Sequence, residues 1–424
     1  MKSRAVLFVL VIALTSLGTA QADPPTACSD PGTAWGTSTP EAVGLDSAKL
    51  QDAIDFATSR DSWWFKVIRH GCLVGQERYG PYADKGRWES FSMAKSVTAM
   101  LTGRAITMGL LDLDDTVGEY LTEAPYIADE AHGAIKVSDM LTMTSGLHWN
   151  FLRDYNAFTM PDRVADALSL HVDYAPGTHY EYHQSSVSLL AKVVEKAVEV
   201  DLQEFAQTEL FDKIGIPSGR WTWERDLAGN TAGFYGLRME PLDFARLGEL
   251  MLREGNWNGE QVITEQFVDE AQSESPMNKG YGYLFWLNGG VPYTTATVYA
   301  RDERSTPQIA SAPTDMYMMD GLFEQRVYIM PGLDMVVVRL GMQGSREADT
   351  RSSVWTSASG EFEHELFRKL MAAVDEGDAP ADPGPYDQTQ NPIPQTDPNE
   401  DGATNSLTHP EDWVFGAHGI QNPA

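Results

Sequence analysis

Ser92 and Lys95 stand three residues apart in ESFSMAKSVTAML, residues 89–101. On a helix that spacing puts both side chains on one face, one turn apart. With Ser90 as the cap, Ser92 falls in the first turn. There the free backbone N–H groups and the positive end of the helix dipole face any developing oxyanion. Met93, Ala94, Val97 and Ala99 make the segment apolar, so Lys95 is expected to be buried. Burial disfavours the ammonium form and leaves an amine that can take a proton from the serine hydroxyl. One helical turn would then supply a nucleophile, its base and half of an oxyanion hole. The spacing alone is weak, since a Ser-x-x-Lys match arises by chance about once in a chain of this size. An exposed surface pair is the bland alternative, and the apolar surroundings argue against it.

Tyr182 is the second candidate, in PGTHYEYHQSSVSLLAKVVEKA. It follows a turn at Pro176 and Gly177 and stands just ahead of a helical pattern. A tyrosine held near a lysine ammonium loses its proton more readily and can pass one to a leaving group. Tyr174 and Tyr180 share the stretch, so residue types alone allow a packed aromatic here as well.

The elements that must hold these residues are legible in outline. WFKVIRHGCLVGQERYG reads as a hairpin around a His70–Gly71 turn, and EQRVYIMPGLDMVVVRLG as two more strands around Pro331 and Gly332. Between them the patterns are mostly helical. Val97, Met100, Leu101, Ala105 and Met108 share one helix face that Gly109 can end, and Val187, Leu190, Val194 and Ala197 share another. Strands at both ends with helices between predict an α+β layer, an antiparallel sheet flanked by helices, plus a helical lobe.

The 424 residues carry a formal charge of −30, and 42% are hydrophobic, enough for a large core. Such acidity argues against nucleic acid or an anionic membrane surface as partner. Residues 1–22 read as a cleavable secretory signal peptide. Lys2 and Arg4 precede the short apolar run AVLFVLVIALTSL, and AQA stands at the cleavage position. The expected product is an exported protein, periplasmic or secreted, with no membrane insertion after cleavage. Residues 23–374 then form the catalytic domain. Residues 375–424, with ten Asp or Glu, eight Pro and no Lys or Arg, form an acidic tail expected to be extended or disordered, apart from Trp413, Val414 and Phe415, which could dock. In an oxidising compartment Cys28 and Cys72 are expected to form a disulfide, two separate buried thiols being the alternative. They cannot make a thiolate zinc site alone and the nine histidines contain no HExxH pair, so no metal or other cofactor is expected.

Beyond the pair and the tyrosine, SMAKSVT, GLLDLDDTVGEYL, VSDMLTMTSGLHW, PGTHYEYHQSSVSLLAKVVE, GLRMEPLDFARLGELMLREGNWNGEQVI and DGLFEQRVYIMPGLDMVVVRLG occur in order across residues 67–341. They resemble the β-lactamase-related serine hydrolases, which include class C β-lactamases, D-alanyl-D-alanine carboxypeptidases, D-aminopeptidases, family VIII carboxylesterases and 6-aminohexanoate-dimer hydrolases. The resemblance implies the β-lactamase/transpeptidase-like fold, Ser92 as the acylated nucleophile, Lys95 as its base and Tyr182 as the tyrosine of a Tyr-x-Asn motif. It places the family's Lys/His-x-Gly motif at Met319, Asp320 and Gly321, with a second oxyanion amide near Leu322. Trp149 and Tyr155 become candidates for substrate contact at the mouth of the site.

Two departures bear on substrate. Gln184 replaces the usual Asn, and Met319 replaces the Lys or His that helps hold a substrate carboxylate. Met cannot make that contact, and the adjacent Asp320 opposes it. The sequence therefore favours a small-molecule ester or amide substrate, as in a carboxylesterase or a 6-aminohexanoate-dimer-hydrolase-like amidase. A β-lactamase or D-alanyl-D-alanine carboxypeptidase is the alternative, with Lys279 or Arg326 supplying the missing charge. A non-catalytic binding protein on the same fold is a third reading. YGYLFW, residues 281–286, is a candidate acyl-pocket wall or a piece of core.

Overall fold

The predicted hairpin forms as β1 (Ser62–Arg69) and β2 (Cys72–Arg78), antiparallel, with His70 at φ 50° and Gly71 at φ 71° between them. Two positive-φ residues in a two-residue loop match the right-handed twist of the strands. A Cβ on Gly71 would also lie 2.8 Å from the Cys28 carbonyl oxygen. Cys28 donates its N–H to His70 O and is disulfide-bonded to Cys72, so the early chain is tied to this turn. The computed structural model describes residues 28, 31–32, 34–78, 86–296, 303–342, 344, 360–377 and 379–387. The leader and Trp413, Val414 and Phe415 lie outside the described residues.

The remaining labels follow the chain. Strands are β3 (Trp88–Glu89), β4 (Trp221–Trp223), β5 (Leu237–Met239), β6 (Trp286–Leu287), β7 (Tyr317–Gly321), β8 (Gln325–Met330) and β9 (Met335–Gly341). Helices are α1 (Ser47–Ser59), α2 (Met93–Thr107), α3 (Phe151–Asn156), α4 (Gln184–Val198), α5 (Pro241–Leu252) and α6 (Glu361–Ala372). The main sheet runs β6-β7-β8-β9-β1-β2, antiparallel throughout. A second, small antiparallel sheet runs β3-β5-β4. This is the expected α+β, β-lactamase/transpeptidase-like architecture.

Every residue of β1, β7, β8 and β9 is buried, as expected of strands covered on both faces. One face meets α6, where Phe367 lies edge-on to Tyr328 with ring centroids 4.8 Å apart. The other meets α5, where a Cβ on Gly248 would sit 2.7 Å from Val327 and 2.9 Å from Val336. Strand alternation then sorts the motif on β7. Met319 is paired with Val327 and faces the α5 side, while Asp320 is paired with Arg326 and faces α6.

On that α6 face Arg326 bridges two carboxylates. It is ion-paired with Asp320, donates from Nε to Glu363 Oε1 at 2.9 Å, and shares Glu363 with the Tyr328 hydroxyl at 2.7 Å. All four side chains are buried.

α2 departs from its expected one-sided burial. Every residue from Met93 to Ala105 is buried, because the sheet covers one side and the helical lobe around α4 the other. Past α6 the chain stays on the body over residues 375–377 and 379–387. Arg368 holds Asp382 through two bonds of 2.7 and 2.9 Å, which keeps that carboxyl down at about 2, and the Gly384 carbonyl meets His364 Nε2 at 2.9 Å. Among the described residues no helix is long and apolar enough to cross a membrane.

Removing the shared cation would leave Asp320 and Glu363 buried without their partner. Arg326→Met should cost about 3–5 kcal/mol of unfolding free energy, measured by denaturant melts. A loss below about 1 kcal/mol would show the two carboxylates to be solvated or protonated.

Candidate active site

The turn that carries Ser92 is set before the helix starts. Ser90 N–H donates to Leu237 O on β5, and the Glu89 carboxylate accepts from Phe91 N–H, Gly236 N–H and Arg238 Nε. These bonds hold Phe91 at φ 47°, a costly conformation for an aromatic residue that only a well-determined surrounding sustains. The chain then enters α2 with Ser92 as its N-cap, so the helix starts two residues later than the Ser90 cap expected from sequence. Ser92 still sits at the positive end of the helix dipole.

Lys95, one turn along, is 1% exposed and donates from Nζ to Ser92 Oγ at 2.9 Å and to Phe234 O at 3.3 Å. Burial pulls its pKa down to about 7, against the opposing pull of Asp154 and Asp320. Near neutral pH a large fraction of Lys95 is therefore the free amine, the form able to accept the Ser92 proton. Nζ also lies 4.7 Å from the Tyr182 ring centroid and 5.5 Å from that of Phe234.

Tyr182 is half-buried immediately ahead of α4. Its ring is buttressed by Trp286 at 5.7 Å and Tyr281 at 6.2 Å. Most of the YGYLFW run is core: Tyr281, Leu284, Phe285 and Trp286 are all 3% exposed or less and Tyr281 and Trp286 pack on Tyr182, while Tyr283 is half-buried and borders a cavity with Glu270 and Met277.

Gly321 is explained by space. A Cβ there would lie 2.2 Å from the Ser90 carbonyl oxygen, so only glycine lets β7 approach the turn that carries Ser92. Leu322 follows directly. The turn after β7 keeps its carbonyls inward, with Gln325 Nε2 donating to Leu322 O and Phe323 O and Arg339 Nη1 to Phe323 O and Glu324 O.

Other expectations fare differently. Asp320 is corrected as a substrate contact: its side chain is on the α6 face, in an ion pair with Arg326. That engagement also removes Arg326 as a substitute cation, and Lys279 is exposed on a loop. Gln184 is the first residue of α4, 5% exposed, and its Oε1 has no hydrogen-bond partner. Trp149 is half-buried in the loop before α3. Tyr155 is on α3, and its side chain lies outside the described residues. Three residues escaped the sequence reading: Glu89, Phe234 and Asp154. Glu89 alone gave a local signal, a carboxylate three residues before the serine.

A protein-family model described as Beta-lactamase matches residues 57–352. The fold is similar to a putative 6-aminohexanoate-dimer hydrolase from Bacillus anthracis, with a TM-score of 0.61, 15% identity, and 82% of this chain and 91% of that one covered. It is similar too to a putative β-lactamase from Bacteroides dorei, with a TM-score of 0.59, 17% identity, and 78% and 100% coverage. A third likeness is EstCE1, a hydrolase with promiscuous acyltransferase activity, with a TM-score of 0.53, 15% identity, and 76% and 98% coverage. By sequence, 147 residues are 26% identical to a ML-236A carboxylate methylbutanoyltransferase from Penicillium citrinum, and the match covers 30% of this chain and 35% of that protein. The family match spans well over half of the chain, which therefore belongs to the Beta-lactamase family.

Two outcomes follow from the geometry. If neutral Lys95 is the working form, kcat/KM rises with pH along a limb centred near 7, because the ammonium predominates below that value and the amine above it. A rate profile flat from pH 6 to 9 would contradict it. Gly321→Ala should push β7 off the Ser90 turn and lower kcat at least ~10-fold, with full activity as the contrary result.

Proposed function

We propose that this member of the Beta-lactamase family is an exported serine hydrolase that cleaves ester or amide bonds of small molecules through an acyl-enzyme on Ser92. The observation that carries the reading is the 2.9 Å contact between Lys95 Nζ and Ser92 Oγ where the lysine is buried. Once Lys95 is neutral the contact reverses, Oγ–H donating to Nζ. Oγ attacks the substrate carbonyl as its proton passes to Lys95. The oxyanion is held by N–H groups at Ser92 and near Leu322. As the intermediate collapses, the proton moves from Lys95, with Tyr182 alongside, to the departing alcohol or amine. Water then attacks the acyl-enzyme by the same route in reverse, giving the acid and free Ser92.

The substrate side rests on charge. Met319 is fully buried, and Arg326 is engaged by Asp320 and Glu363. A substrate carboxylate near the scissile bond would meet no dedicated cation from this strand, which favours neutral esters and amides over penicillins and peptide C-termini. The hydrolases of similar fold are compatible with that choice. The binding-protein reading has less support, since Ser92, Lys95 and Tyr182 are all in place. Export rests on the leader-like residues 1–22.

Initial rates on p-nitrophenyl butyrate and a chromogenic cephalosporin test the assignment. The wild type is expected to turn over the ester faster, with Ser92→Ala losing at least ~10³-fold and Lys95→Ala ~10²–10⁴-fold in kcat. Faster cephalosporin turnover would overturn the charge argument, and retention of esterase activity in Ser92→Ala would overturn the nucleophile.

A further inference from the structure

Behind Lys95 and Tyr182 lies a buried polar cluster that no step of the proposed chemistry uses. Asp154, on α3, is 3% exposed, and His183, beside Tyr182, is 2% exposed. Asp154 Oδ1 accepts the Gln184 N–H at 2.7 Å and lies 3.3 Å from His183 Nδ1. His183 Nε2 meets the His148 carbonyl at 3.1 Å, so that nitrogen carries the proton, while Nδ1 accepts the Ser185 N–H at 3.2 Å and caps α4. The carboxylate thus grips α4 at its first residue, two positions after Tyr182, where the helix dipole favours negative charge. Tyr182, fixed at the other end of that grip, sets its ring 4.7 Å from Lys95 Nζ.

We propose that Asp154 is a positioning residue of this site: it anchors the backbone that carries Tyr182 against Lys95, and its carboxylate is the buried charge behind that segment. This rests on the assignment of Ser92 and Lys95 above. The charged and titratable groups around Lys95 come from several elements. Asp154 from α3 and Asp320 from β7 both favour its ammonium form. Tyr182 faces it from the segment before α4. Around Asp154 itself, His183 is engaged with backbone groups through both ring nitrogens, and Arg153 is paired with Asp166 in a bond of its own. Asp154 is therefore the charge on this side whose removal should be felt at Lys95.

Asp154→Asn keeps an oxygen for the Gln184 N–H and deletes the charge. Its kcat/KM limb is expected to move to lower pH by at least about half a unit, with plateau kcat within about threefold of wild type. Asp154→Ala deletes the anchor as well, and is expected to lower plateau kcat at least ~10-fold with KM nearly unchanged. Asp154→Glu keeps the charge while shifting the oxygen, so its limb should stay with the wild type as kcat falls. Thermal melts of each variant accompany the kinetics, and if Asp154→Ala fails to fold, the Asn and Glu variants decide. A limb in Asp154→Asn that overlays the wild type, or one that moves to higher pH, overturns the electrostatic role. Full plateau kcat in folded Asp154→Ala overturns the anchoring role. Activity surviving in a parallel Ser92→Ala control would instead indict the nucleophile assignment and leave these shifts to be read on another base.

Discussion

The site depends on keeping one lysine dry. An ammonium taken out of water is costly unless it is paired or gives up its proton. Here the Lys95 side chain is enclosed by the Phe234 loop, the Tyr182 ring and the body of α2, and its nearest polar contacts are a serine hydroxyl and a carbonyl oxygen. Neither carries a formal charge that would lock the ammonium in place. Asp154 and Asp320 pull the other way, and burial outweighs them. The lysine is therefore poised between its two forms near neutral pH. Much of the surrounding architecture can be read as what holds that enclosure closed: the Glu89 clasp on the Phe91 turn, the glycine that admits β7, and the Tyr281–Trp286 buttress behind Tyr182.

The main sheet separates two kinds of buried charge. On the α2 and α5 face the strand that borders the site offers Met319 and Gly321, one apolar and one without a side chain. On the α6 face the same strand carries Asp320 into a pair with Arg326 and Glu363. A strand's alternation leaves no third option. The pairing that stabilises the sheet on one side thus leaves this strand's other face without a cation, and the proposed preference for neutral substrates rests on that strand parity.

Much of this was legible from sequence because it was local. His70 and Gly71 announced a turn needing positive φ, Ser92 and Lys95 announced a helix face with chemistry, and the ordered motifs announced the fold. What escaped was set by distant contacts. Lys95 finds the Phe234 carbonyl 139 residues away. Asp154 reaches the backbone at Gln184 from an unremarkable loop-helix segment. The side on which Asp320 falls depends on its register with Arg326, which neither residue reveals alone. The burial of α2 on all sides needed both the sheet and the helical lobe to be in place, and its own mixed pattern suggested only one partner.

A direct test of the enclosed lysine is an NMR titration of the Lys95 ε-carbon in labelled protein, assigned by loss of the signal in Lys95→Arg. The account predicts a midpoint near 7, well below every exposed lysine in the same spectrum. A midpoint near the ordinary value of about 10.4 would mean that Lys95 stays an ammonium through the working range. The base for Ser92 would then have to be another group, with Tyr182 the first to examine.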